Sequence, residues 1–122
     1  MKKIAVTAES PDLEARVDPR FGRAAGFVVV DPDTMAFDYV DNGASQIMSK
    51  GAGIQAAEIL ANTGASVLLT GFVGPKAFQA LSAAGIAIGQ NLENLTVREA
   101  VQSFREGKIE IAEAPNSRSH QR

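Results

Sequence analysis

Short apolar runs alternate with polar, glycine- and proline-marked breaks along the chain. The first run, Lys3–Ala8, reads as a strand that ends before Glu9 and Pro11. Residues 9–16 form a polar loop, and Pro19 and Gly22 keep residues 17–23 irregular. Residues 26–31, Gly-Phe-Val-Val-Val-Asp, are rich in branched and aromatic side chains and predict a second strand. After the turn Asp31-Pro-Asp-Thr, residues 36–41 alternate apolar with polar. The two segments predict a hairpin with one face in water.

The periodicity then changes. Residues 42–50 are a polar connection containing Gly43. Over residues 53–61, Ile54, Ala57, Leu60 and Ala61 recur at helical spacing, and Gly64 ends the helix. Residues 66–70 read as a short buried strand. Residues 75–84 read as a second helix, with Pro75 at its start, Phe78 and Leu81 as anchors and Gly85 at its end. Residues 86–88 are a further strand. Thr96-Val-Arg-Glu has the capping-box form, and Val97, Ala100, Val101 and Phe104 continue it as an amphipathic helix stopped by Gly107. Residues 108–112 have the composition of a short edge strand. Residues 115–122 are polar and expected to be a disordered tail.

This order implies one α/β domain over residues 1–114. A right-handed helical crossover after the hairpin makes the later strands parallel to their neighbours. The expected architecture is a mixed five-stranded sheet flanked by helices. The hairpin lies on one side of the first strand, and residues 66–70 and 86–88 lie on the other.

Composition narrows the chemistry. The chain has 122 residues, 45% of them apolar and 21% charged, with a net charge of −2. That balance suits a soluble globular domain and gives no basic face for nucleic acid. No apolar run approaches a membrane span, and without an export signal the cytoplasm is the expected compartment. There is no cysteine, and the single histidine, His120, lies in the tail. Disulfides and cysteine-ligated metals are therefore excluded within one chain, and Ser–His–Asp or Cys–His catalysis has little support, since its histidine would have to come from the tail. A hydrolase using carboxylates on the central strand finds none in residues 4–8.

In an open sheet, ligands sit beyond the carboxyl ends of strands where the strand order reverses. Three loops are expected to meet there: residues 8–10, 70–74 and 89–91. Gly71 and Gly74 let backbone N–H groups approach a ligand, and Gly74-Pro75 opens a helix with Lys76 in its first turn. Gly51 and Gly53 open the other helix, with Lys50 before them. The spacing is not that of a triphosphate-binding loop. Arg20 and Arg23 flank Phe21 and Gly22, and spacing alone favours a structural role for them, pairing with Asp18 or Asp31 to lock the loop.

Four segments carry a family resemblance: Met-Lys-Lys-Ile-Ala-Val-Thr, Arg-Phe-Gly-Arg-Ala-Ala-Gly-Phe, Lys-Gly-Ala-Gly-Ile-Gln-Ala-Ala-Glu-Ile-Leu and Thr-Gly-Phe-Val-Gly-Pro-Lys-Ala-Phe-Gln-Ala-Leu. Together they resemble the dinitrogenase iron–molybdenum cofactor biosynthesis family, from Met1 to about Gly107. The resemblance implies a ribonuclease-H-like three-layer fold and a non-catalytic role in binding or carrying metal–sulfur clusters. Many members have histidine where this chain has Arg20, and often a second where it has Lys50. A cysteine-free member implies a mixed molybdenum–copper sulfide cluster held without covalent protein ligands. By that resemblance Arg20, Phe21, Gly22, Arg23, Lys50, Gly51, Gly71, Phe72, Gly74 and Lys76 are the expected cofactor-binding set, with no direct metal ligand. Cations would supply charge, the glycine backbone N–H donors, and Phe21 and Phe72 apolar walls. The alternative is an interaction or regulatory module that binds a protein partner and no metal.

Overall fold

A computed structural model describes residues 2–116 of the chain. Nine elements follow one another: β1 (Lys3–Ala8), β2 (Gly26–Val30), β3 (Phe37–Asp41), α1 (Gly43–Gln46), α2 (Ala52–Ala61), β4 (Ala65–Leu69), α3 (Pro75–Ala83), β5 (Ala87–Gly89) and α4 (Val97–Arg105). The five strands form one sheet in the order β3-β2-β1-β4-β5. β1 pairs antiparallel with β2 and parallel with β4, and β4 pairs parallel with β5. This is the mixed open sheet expected from the sequence, with the hairpin and the crossover strands on opposite sides of β1.

Alternation along the central strands feeds two cores. Ala5, Phe27 and Leu68 face α2 and α3, where Leu60, Leu81 and Ile88 complete one cluster. Ile4, Val6, Val28, Val30, Val67 and Leu69 face the other way, against Val97, Ala100 and Val101 of α4. Both faces of β1, β2 and β4 are thus covered, which is why these strands read as nearly continuous apolar runs. β3 is the outer strand of the hairpin and keeps Phe37 and Asp38 exposed. The capping box at Thr96 is formed: its hydroxyl accepts from the Glu99 N–H at 3.1 Å, and the Glu99 carboxylate accepts from the Thr96 N–H at 3.0 Å.

Three local expectations are corrected. Residues 42–50 contain a helical turn, α1, for which no apolar period gave a signal. It is anchored by the buried Asn42, whose Nδ2 donates to the Ala24 carbonyl at 3.0 Å. In α2 the buried face is Ala52, Ala56, Ala57 and Leu60, while Ile54 and Ala61 are exposed. The reason is close packing: a Cβ on Gly53 would lie 2.9 Å from the Cβ of Ala77 in α3, so the smallest residues must face inward. Residues 108–112 do not form a strand. Ala112 donates one backbone hydrogen bond to Ile88 (2.7 Å), and Ile109 packs over Gly89 rather than continuing a ladder.

No helix among the described residues is long and apolar enough to cross a membrane. The expected tail begins inside the described residues and ends outside them. Asn116 is hydrogen-bonded, and His120 lies outside the described residues.

Candidate functional site

β4 ends at Leu69, and the chain turns through residues 70–74 into α3. Residues 19–21 run alongside that turn. The Phe72 N–H donates to the Pro19 carbonyl at 2.7 Å, the Phe21 N–H donates to the Phe72 carbonyl at 3.2 Å, and Arg20 and Phe72 form a parallel bridge. The contact is backbone to backbone. A Cβ on Gly71 would lie 2.5 Å from the Pro19 carbonyl oxygen, and a Cβ on Gly22 would lie 2.9 Å from the Gly53 nitrogen. These glycines let three chain segments close together.

The segments enclose an open cleft of about 690 Å³ at the starts of α2 and α3. Arg20, Gly22 and Arg23 line it from one side, Lys50 and Gly51 from a second, and Phe72, Gly74 and Lys76 from a third. Phe21 also lines it, but its ring is buried and stands 5.8 Å from that of Phe27, so it is a core residue first. The exposed apolar walls are Phe72 and Ile54, each 40% exposed. Gly71 is not in the lining; it is buried against Pro19. Residues 8–10 are absent as well: Glu9 bonds back to Arg16, and residues 13 and 15 accept from Arg98 and Val97 at the start of α4. Residues 90 and 91 instead line a separate depression with residues 108–114. Ser49, Ala52 and Ala77, which the sequence did not single out, complete the cleft together with Gly53, Ile54 and Pro75, which it read only as parts of the two helices. Gly53 and Ala77 carry a retrospective signal, being small residues at facing helix starts.

Charge in the cleft has one sign. Arg20, Arg23, Lys50 and Lys76 line it, and no aspartate or glutamate does. The ion pairs among the described residues, Arg98–Glu14 and Lys108–Glu106, involve none of the four. The expected pairing of Arg20 or Arg23 with Asp18 or Asp31 is not formed. Asp18 accepts from the Arg20 backbone N–H at 3.1 Å. Arg23 Nη1 donates to the carbonyls of Gln46, at 3.2 Å, and of Met48. Arg23 therefore does hold a loop, through carbonyls rather than a carboxylate.

Both helix starts add positive potential. The N-caps Gly51 and Gly74 offer no side-chain cap, and neither first turn carries an acid. The N–H groups of Ala52, Gly53 and Ile54, and of Lys76 and Ala77, find no acceptor among the described residues. Unpaired N–H groups and the helix dipole favour an anion at such ends. Among the described residues no three His, Cys, Asp or Glu side chains converge.

The chain has close relatives of known structure. The apo form of the orange protein from Desulfovibrio gigas is 68% identical, covers 96% of this chain and 98% of its own, and superposes with a TM-score of 0.94. A Thermotoga protein solved by NMR is 31% identical over 91% of this chain and 93% of its own, with a TM-score of 0.77. An uncharacterised protein of Methanocaldococcus jannaschii is 29% identical over 98 residues, 78% of this chain and 81% of that one. The family described as dinitrogenase iron–molybdenum cofactor matches residues 2–107, and the chain belongs to it.

Proposed function

We propose that this chain is a cytoplasmic, non-catalytic carrier of an anionic metal–sulfur cluster of the molybdenum–copper sulfide type. The observation that carries the reading is the cleft itself: four cations, no carboxylate and two uncapped helix starts facing one space, in a chain whose net charge is −2. Such a cluster brings its own sulfide ligands, so it needs charge, N–H donors and a shaped apolar wall. Arg20, Lys50 and Lys76 would supply the charge, and Arg23 would add to it while holding the neighbouring loop. Phe72 and Ile54 would shelter the sulfide surface. The likeness to the orange protein and the family membership support the same reading.

The test is anaerobic reconstitution of the purified protein with tetrathiomolybdate and copper(I). Visible charge-transfer bands that stay with the protein through gel filtration, with stoichiometric metal, are expected. Wild-type protein that remains colourless, or retention unchanged in Arg20→Ala/Lys50→Ala, would overturn the assignment.

One observation favours a second reading, a docking module for a protein partner. Ile47, beside the Arg23-bound carbonyls, is 85% exposed, and Ile54 and Phe72 stand exposed in the adjoining cleft. A protein that takes up no metal but captures a specific partner, with capture lost in Ile47→Ser, would select this reading.

A further inference from the structure

Beyond α4, the chain passes along the open edge of β5 and reaches the turn behind Phe72. Ala112 bonds to Ile88, Ile109 covers Gly89, and Asn116 then meets the turn between β4 and α3. The Asn116 Oδ1 accepts from the Val73 N–H at 3.0 Å. Its Nδ2 donates to the Gly71 carbonyl and to Asn91 Oδ1, both at 2.9 Å. One side-chain amide thus satisfies the backbone on both sides of Phe72. A carboxamide offers the same donor and acceptor as a peptide group, so Asn116 supplies the acceptor for Val73 and joins the Asn91 N–H, 2.9 Å away, as a second donor to the Gly71 carbonyl.

The consequence reaches the cleft. With residues 71 and 73 held from behind, the Phe72 backbone is free to bridge Pro19 and Phe21 in front, and the same bridge places Arg20. Neither the family pattern, which covers residues 2–107, nor any periodicity in the sequence points to this residue.

We infer that Asn116 is a positioning residue for the cleft wall built on Phe72, so that the segment after α4 belongs to the anion-binding unit. The binding part of this inference rests on the carrier reading; the positioning part does not.

The experiment compares full-length wild type, Asn116→Ala, Phe72→Ala and the double variant. Two readouts are amide hydrogen exchange at residues 71–73 and affinity for tetrathiomolybdate by absorbance titration. Asn116→Ala is expected to speed Val73 exchange about tenfold, with the melting temperature nearly unchanged. Asn116→Asp keeps the acceptor for Val73 and is expected to leave that amide slow. Affinity should fall about fivefold on Asn116→Ala in the wild-type background and by a clearly smaller factor in the Phe72→Ala background, the non-additivity that marks two residues acting as one unit. Unchanged exchange at Val73, or an equal loss of affinity in both backgrounds, would overturn the inference. If wild type fails to bind tetrathiomolybdate, the carrier reading falls and the exchange result alone decides whether Asn116 positions the wall.

Discussion

A Cβ placed on Gly22 would stand 2.9 Å from the backbone nitrogen of Gly53, closer than side-chain atoms pack. The loop carrying Arg20 and Arg23 therefore rests directly on the first turn of α2. The neighbour is backbone and cannot swing aside. Gly22→Ala is expected to destabilise the fold by about 1–3 kcal/mol, the usual penalty of overpacking. Gly74 supplies the contrast. Nothing lies within 4 Å of a Cβ there, so Gly74→Ala should change stability by less than about 0.5 kcal/mol. Urea denaturation of the two variants checks the pair; equal effects would mean that the two backbones are not in contact.

Arg23 makes a different kind of closure. Its Nη1 donates to the carbonyls of Gln46, the last residue of α1, and of Met48 just beyond it, and it sits one bond further along the side chain than a lysine Nζ, which would fall short of them. Arg23→Ala should loosen the segment from Gln46 to Lys50, and Arg23→Lys should not restore it. Lys50 is exposed at the segment's end, so limited trypsinolysis reads the change directly. Cleavage after Lys50 is expected to accelerate about tenfold in both variants, the factor that loss of roughly 1.4 kcal/mol of hydrogen bonding would give. Cleavage at the wild-type rate in Arg23→Lys would show that charge alone suffices.

Much of this was legible in the sequence, for identifiable reasons. The sheet order followed from one hairpin and two helical crossovers, because right-handed connections leave few ways to place the strands. The end of the sheet that holds the cleft followed from the reversal of strand order beside β1, and the glycines at two helix starts marked its walls. What was not legible depended on contacts between distant backbones. Nothing local to Gly71 says that Pro19 lies against it, so an open donor was expected where there is a buried packing site. Ile54 looked like a core residue by spacing, but α2 turns its alanines inward to meet Gly53 and Ala77 at close range. The partners of Arg23 were missed because backbone carbonyls leave no trace in residue identity. Asn116 was hidden for the same reason, lying in a stretch whose composition suggested no order.

The capping box offers a control remote from the cleft. Thr96 and Glu99 satisfy each other's N–H groups at the start of α4, on the opposite face of the sheet from α2 and α3. Thr96→Ala should cost about 1 kcal/mol of stability, typical of losing such a cap. Exchange and proteolysis at residues 46–54 should stay as in wild type. A change there would mean that the two faces of the sheet are coupled and that effects of cleft substitutions cannot be read as local.

Salt separates the two ways the cleft is proposed to hold its ligand. The cations are exposed or half-exposed, so their attraction for an anion is screened as the Debye length falls from ~30 Å at ~0.01 M to ~8 Å at ~0.15 M salt. Removing Arg20 and Lys50 as glutamines should therefore weaken tetrathiomolybdate binding strongly at low salt and much less at high salt, flattening the salt dependence. On the proposed reading Phe72 would cover apolar surface, an effect that salt does not screen. Phe72→Ala should lower affinity by about fivefold, equivalent to roughly 1 kcal/mol of buried apolar contact, and by the same factor at both salt concentrations. Titrations at low and high salt give the two slopes. Parallel curves for the glutamine variant and wild type would mean that charge does not hold the anion. A flatter salt dependence in Phe72→Ala would place the ring's role in orienting Arg20, its bridge partner, rather than in sheltering the ligand.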